Sequence, residues 1–227
     1  MKDFQLNEKQ LNETQNKQFA TYFHELVAYN EKVNLTAITE ENEVYIKHFY
    51  DSMLGESYIS QNATVVDVGT GAGFPGLPLK ILRPDINLYL VDSLNKRIEF
   101  LKMLITKLNV EAQTFHSRAE EFAVQNREKF DVAVSRAVAS LNTLCEYTLP
   151  LVKVGGIFIA YKGSNADEEL KNAQKAISTF GGVVEKIDDF ELPNGFGERK
   201  IIVIRKIKNT PNKYPRPKNL PKLKPIV

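Results

Sequence analysis

The chain has 227 residues, 43% of them hydrophobic, a net charge of +2 and a single cysteine, Cys145. That length suits one domain with an appendage; one thiol excludes an intrachain disulfide framework, and no apolar run approaches the ~18 residues of a membrane helix. The N-terminal MKDFQLNEKQLNETQNK is polar and lacks the apolar stretch of a secretory signal, so a cytoplasmic protein is expected.

Residues 1–60 read as an N-terminal helical cap. Phe19, Phe23, Leu26, Val27 and Asn30 recur at helical spacing with Tyr22 in the same stripe, and a second helix is expected from about Glu40 to Tyr58, after the turn-like Asn34-Leu35-Thr36. These aromatics are expected in a core rather than on a binding face. From Thr64 the pattern becomes alternating strand and helix. Strands are expected at Thr64–Val68, Asn87–Asp92, Val110–His116, Phe130–Ser135 and Gly156–Lys162, with helices through Pro78–Leu82, Leu94–Leu108, Ser140–Leu149 and Asp167–Phe180. Short apolar strands separated by helices imply a parallel sheet covered on both faces.

The end of this region differs. VVEKIDDFELP passes through Asn194-Gly195 directly into KIIVIR, and a turn without a crossover helix makes the two strands antiparallel. Parallel strands followed by a terminal hairpin are the layout of the class I S-adenosylmethionine-dependent methyltransferases: an α/β, Rossmann-like, mostly parallel seven-stranded sheet with an antiparallel last strand. A dinucleotide dehydrogenase would keep its sixth strand parallel. The domain is placed at residues 61–206. Residues 207–227 hold five of the ten prolines and are expected as an extended surface arm, neither helix nor central strand. From Arg199 to the end there are ten Lys or Arg and no acid, while residues 1–198 carry a net −8. Such a field suits an acidic polymer, although a solvated tail has the same composition.

The strongest local signal is VVDVGTGAGFPG, Val65–Gly76. Glycines 69, 71 and 73 allow a sharp turn and close approach of a ligand. Read from Gly71 to Gly76 the segment matches GxGxxG and suits a pyrophosphate, as in an NAD(P)-dependent oxidoreductase. Read from Asp67, it matches the acidic-x-Gly-x-Gly-x-Gly pattern of S-adenosyl-L-methionine sites, where the acid meets the cationic methionine end directly or through water. The strand end and the terminal hairpin favour the second frame. Asp92 closes the next strand, where a carboxylate accepts from ribose hydroxyls or caps the following helix. In Ser117-Arg118-Ala119-Glu120-Glu121, Glu120 suits the adenine amino edge, or serves only as a first-turn helix acid.

The segments VVDVGTGAGFPGLPLKILRPD, LVDSLNKRIEFLK, HSRAEEF, FDVAVSRAVASL and GGIFIAYKG, with NLTAITE, HFYDSM and KYPRPKNLPKLKP, resemble the ribosomal RNA small subunit methyltransferase G family over nearly the whole chain, in order. The resemblance implies methylation of N7 of one guanine in 16S rRNA, position 527 near the decoding site, with S-adenosylmethionine as donor. It places cofactor contacts on Gly69, Phe74, Ala119, Glu120 and Arg136, with Asp92 at the ribose. The family's glycine loop often reads Gly-Pro-Gly or Gly-Ala-Gly, and this chain has Ala72.

Guanine N7 carries a lone pair and no proton, so its methylation needs alignment and desolvation rather than a base or covalent nucleophile. The sequence agrees by omission. Cys145 lies in a helical segment and reads as packing, and Ser135-Arg136-Ala137-Val138 stands where adenine amino-methyltransferases carry Asn/Asp-Pro-Pro-Tyr/Phe. Arg136, at the carboxyl end of a central strand, is the foremost catalytic candidate: it can hold the cofactor carboxylate or guanine O6, or be a structural ion pair. Lys162, Arg216, Lys218, Lys222 and Lys224 are candidates for RNA contact, joined by the lysines of KRIEFLKMLITK. His24, His48 and His116 are scattered, so no metal site is expected; His48, three residues before Asp51, is structural or lines the cleft. The expected partner is 16S rRNA, the 30S subunit or its assembly intermediate, met by a monomer away from membranes. A non-catalytic ribosome assembly factor is the other alternative.

Overall fold

The computed structural model describes residues 5–6 and 9–227, with side chains from Leu11 onward; residues 1–4 and 7–8 of the expected cap lie outside the described residues. A two-residue ladder pairs Gln5–Leu6 with Lys9–Gln10. Helix α1 (Glu13–Val33) follows, begun by a capping box in which Asn12 and Gln15 satisfy each other's backbone N–H groups. It stops at Asn34, in the left-handed conformation. Gln15 and Gln18 donate across space to the carbonyls of Ile81 and Leu108, so α1 closes the C-terminal ends of two later helices. The second expected helix differs from its reading. An α-turn at Glu41–Glu43, a π-helical stretch Val44–Tyr50 and an α-turn Asp51–Met53 run on as one rod, α2, and Glu56–Tyr58 is a separate 3₁₀ turn.

The sheet contains β1 (Thr64–Val68), β2 (Asn87–Asp92), β3 (Ala112–His116), β4 (Phe130–Arg136), β5 (Val152–Lys162), β6 (Gly182–Glu191) and β7 (Glu198–Lys206), in the order β3-β2-β1-β4-β5-β7-β6. β1 to β5 are parallel; β7 runs antiparallel to both β5 and β6. Between β6 and β7 the chain reverses through Asn194 and Gly195, both at positive φ. Helices α3 (Gly76–Leu82), α4 (Asn95–Leu108), α5 (Ala119–Gln125), α6 (Leu141–Thr148) and α7 (Ala166–Thr179) cover the sheet. Successive strand residues face opposite ways, and both faces are buried. Val65, Leu88, Leu90, Val132, Val134, Ile157 and Ile159 pack with α1 to α4. Val66, Val68, Val91, Ala133, Phe158 and Ile202 pack with α5 to α7.

The arm departs from expectation in two ways. It contains a short helix, α8 (Leu220–Leu223), and Pro215 and Pro221 are buried, so it is partly embedded rather than only lying on the surface. Its root is fastened by Lys206, which is wholly buried and donates to the carbonyls of Leu149 and Val152 and to Thr210 Oγ1. Burial pushes its ammonium down to about 8, and Glu128 at 3.3 Å opposes that shift.

α1 also reaches the glycine loop. Tyr22, fully buried, donates its hydroxyl to the Ala72 carbonyl at 2.6 Å, and its ring stacks on Phe74 at 5.3 Å. Tyr22→Phe keeps the packing but strands that carbonyl, and is expected to lower unfolding stability by about 1–2 kcal/mol in urea titrations.

Candidate active site

β1 ends at Val68, and the chain turns through Gly69, Gly71 and Gly73, all at positive φ, before α3 begins at Gly76. Asp67 braces this turn from beneath. Its Oδ2 accepts from Thr70 Oγ1 at 2.7 Å and from the Gly76 N–H at 2.8 Å. A Cβ at residue 76 would sit 2.8 Å from that oxygen, so only glycine lets the carboxylate come so close. Asp67 is 0% exposed, and its Oδ1 has no hydrogen-bond partner among the described residues. Burial pushes its carboxyl up to about 7, against the opposing pull of those two hydrogen bonds and of Arg136.

Above the turn lies a cavity of about 580 Å³, over the carboxyl ends of β1, β2 and β4, with Gly69, Gly71, Phe74, Asp92, Ala119, Glu120 and Arg136 on its wall. Asp67 is not on that wall, so the structure sets it as the support of the loop rather than a direct contact. Asp92 accepts from the Gly71 N–H (2.9 Å) and Arg97 Nη1 (3.2 Å) through Oδ2, and from the Leu94 N–H through Oδ1. It therefore pins the glycine turn and the Leu94 N–H just ahead of α4 while facing the cavity; the N-cap position of the helix is Leu94, with no side-chain cap, so the expected capping role is not what Asp92 does. Glu120, nearly buried, accepts from the Asn219 N–H at 3.1 Å, and Asn219 and Lys222 complete the wall. This part of the site was not visible in the sequence, because 99 residues separate the bonded pair.

Arg136 stands where the cavity meets α2. Its Nη1 donates to Asp51 Oδ2 (2.7 Å) and to the Lys47 carbonyl (3.0 Å), and its Nη2 lies 3.2 Å from His48 Nδ1. The guanidinium covers the Phe74 ring at 4.9 Å. The His48 ring stacks on Phe74 at 4.5 Å, and its Nε2 is 2.9 Å from Thr36 Oγ1. Burial, and then the nearby Arg136 charge, push its imidazole down to about 3, so it is neutral and a very weak base. The two alternatives for His48 merge: it is structural, and it lines the cleft.

The basic candidates separate. Lys162 is 7% exposed, with Nζ donating to the Ala139 carbonyl (2.7 Å) and Glu169 (2.6 Å); it lies off the outer surface, on the wall of a second cavity beside Arg136. Arg216 forms a fork with buried Glu146, Nε to Oε1 at 2.9 Å and Nη2 to Oε2 at 2.6 Å, and so staples the arm to α6. Lys218, Lys222 and Lys224 are exposed. Cys145 is fully buried in α6, and burial raises its thiol beyond the range of a thiolate nucleophile. Among the described residues no three His, Cys, Asp or Glu side chains gather as metal ligands, and no helix is long and apolar enough to cross a membrane.

A sheet of this order, with a glycine turn after β1, an acid ending β2 and a cavity over their carboxyl ends, defines an S-adenosylmethionine-dependent methyltransferase. Solved structures share the fold. One is a SAM dependent methyltransferase from Aquifex aeolicus (TM-score 0.55, 15% identity, 73% of this chain and 93% of that one); another is M. jannaschii TYW2 in complex with AdoMet (TM-score 0.52, 15% identity, 67% and 73%). The chain belongs to the ribosomal RNA small subunit methyltransferase G family, whose model matches residues 15–202. The Bacillus subtilis (strain 168) protein of that name is 51% identical over 221 residues, 95% of this chain and 92% of its own.

The site fits the methyl donor. A Cβ built on Gly71 meets no atom within 4 Å, which leaves the turn open beside the cavity, and the volume suits a small cofactor. Asp92, Ala119 and Glu120 lie on the wall of that cavity. The nicotinamide alternative fails: β1 ends at Val68 rather than at about Thr70, as that frame requires, and the strand beside β5 is antiparallel.

Proposed function

We propose that the chain methylates N7 of one guanine in 16S rRNA, the position 527 that the resemblance implies, acting as a cytoplasmic monomer on the 30S subunit or its assembly intermediate. The observation that carries the reading is the character of the wall beside the cofactor cavity, which among the described residues offers no imidazole base and no thiol nucleophile. His48 is held neutral at about 3, Arg136 stays protonated, Asp51 is paired with Arg136, and Cys145 lies in the core. Bound S-adenosylmethionine supplies an electrophilic methyl group. Toward a nucleophile that already has its lone pair, the chain needs only to align and desolvate. Gly69, Gly71, Gly73 and Phe74 shape the nucleoside site, Asp92 holds the ribose, Ala119 and Glu120 border the adenine, and Arg136 offers positive charge to the cofactor carboxylate or guanine O6.

The test is direct. Purified protein, S-adenosylmethionine and small subunits lacking the modification are incubated, and the digested RNA is read by mass spectrometry. A single 7-methylguanosine is expected, and a methyl on any other atom or base, or none, refutes the assignment. Lys218, Lys222 and Lys224 are proposed as phosphate contacts, with Arg216 and Lys162 supporting them from within. Neutralising the three lysines is expected to flatten the slope of log affinity against log salt by about 0.7–0.9 for each phosphate left without its cation. Arg216→Ala should leave that slope nearly unchanged and lower the melting temperature instead, because it leaves the buried Glu146 without its counter-charge, held only by the residue-216 backbone N–H.

A further inference from the structure

We propose that a second cavity, beside the cofactor site, receives the guanine base, and that Asp51 reads its N1–H and exocyclic amino edge. The proposal rests on the guanine methylation argued above and adds the residue that selects the base. This cavity, of about 600 Å³, shares His48 and residues 136–139 with the cofactor cavity and is further lined by Ile38, Lys47, Asp51 and Arg199. Of these two cavities, Asp51 lines the second and not the first.

Asp51 is 2% exposed. Its Oδ2 is taken by Arg136 at 2.7 Å, while its Oδ1 accepts no hydrogen bond; Arg199 Nε lies 3.2 Å from Oδ1 but off the hydrogen-bond direction. A buried carboxylate oxygen left without a donor is costly and rare. It is accounted for here as an acceptor whose donors arrive with the substrate. Guanine is the base that presents two adjacent donors, N1–H and the N2 amino group, on one edge. Adenine has a bare acceptor at N1 and a C–H at position 2, so the same oxygen rejects it. In guanine N7 lies across the purine from that edge, on the other ring. A base anchored on Asp51 therefore turns N7 away from the carboxylate, toward the wall shared with the cofactor. Arg199 at the rim, its side chain 25% exposed, offers positive charge to the incoming phosphate backbone.

The experiment uses full-length protein and small-subunit RNA carrying guanosine, inosine (no exocyclic amino group) or 1-methylguanosine (no N1–H, O6 retained) at the methylated position, under single-turnover conditions. The wild type is expected to methylate at least one analogue about 10- to 100-fold more slowly than guanosine. Asp51→Asn is expected to lose most of that discrimination, a change that a purely structural role would not produce. Equal wild-type rates on all three RNAs overturn the proposal without any variant, as does discrimination that survives undiminished in Asp51→Asn. Should Asp51→Asn not hold its fold, Asp51→Glu decides in the same way, since it keeps the charge and moves the acceptor. If guanosine itself gains no methyl at N7, the reaction assignment fails, and the guanosine arm shows that by itself.

Discussion

Arg136→Ala is expected to cost about 3–5 kcal/mol of unfolding stability and to reduce methyl transfer by on the order of 100-fold or more. Asp51 is nearly buried, and its strongest partner is the 2.7 Å contact to Arg136 Nη1. Removing the guanidinium leaves a carboxylate that cannot return to water, with only Arg199 beside it. The same substitution removes a donor to the Lys47 carbonyl and the cation over Phe74. The floor of the cofactor cavity and the rod that carries His48 then lose their common tie. Arg136→Lys keeps the charge but not the fork, so it should fall between wild type and alanine on both scales. Urea denaturation and single-turnover methylation measure the two effects. An alanine variant of wild-type stability would show that the clamp is not what holds α2 to β4.

The second large effect is one of pH. Native Asp67 keeps a proton up to about 7, whereas in the unfolded chain it ionises near 3.8. The native state binds more protons in that interval, so the Asp67 contribution to stability is lost as pH rises from about 4 to 7. His48 acts the other way. The unfolded imidazole gains a proton below 6.5, but the native one resists until about 3, so its contribution is lost as pH falls through that window. Each amounts to on the order of 4 kcal/mol over its full range, and between pH 4 and 6.5 they oppose each other. Chemical denaturation from pH 4 to 8 should expose the cancellation. Relative to wild type, Asp67→Asn gains stability as pH rises, and His48→Gln loses it. Difference curves of the same sign, or flat ones, would contradict the assignments.

Local rules made the sheet legible. Every strand of β1 to β5 overlaps a stretch read from apolar runs, and the antiparallel hairpin followed from the shortness of one turn. The glycine turn and Asp92 were legible for the same reason, since backbone reversal and strand-end position are properties of neighbouring residues. What escaped depends on distance. Arg216 and Glu146 are 70 residues apart, and Arg127 and the Tyr214 carbonyl it binds are 87 apart. Nothing in local spacing distinguishes a stapling arginine from one that meets phosphate. The proline-rich arm was read as extended along the surface because its prolines forbid a long helix, yet Pro215 and Pro221 are buried and the Pro221 carbonyl accepts from Thr143 Oγ1. The Asp51–Arg136 pair was half visible, as a histidine and an aspartate three residues apart, but its partner lies 85 residues on.

The π-helical stretch Val44–Tyr50 makes residue count matter as much as residue type. Its wider turn sets how the end bearing His48 and Asp51 is rotated relative to the end bearing Val44. Deleting one residue there would swing one end against the other by about 100°, carrying Phe49 out of the core or His48 away from Phe74. A relative with every side chain of this rod preserved but one position fewer would present the right chemistry to the wrong neighbours, and insertions or deletions in it should be far less tolerated than substitutions.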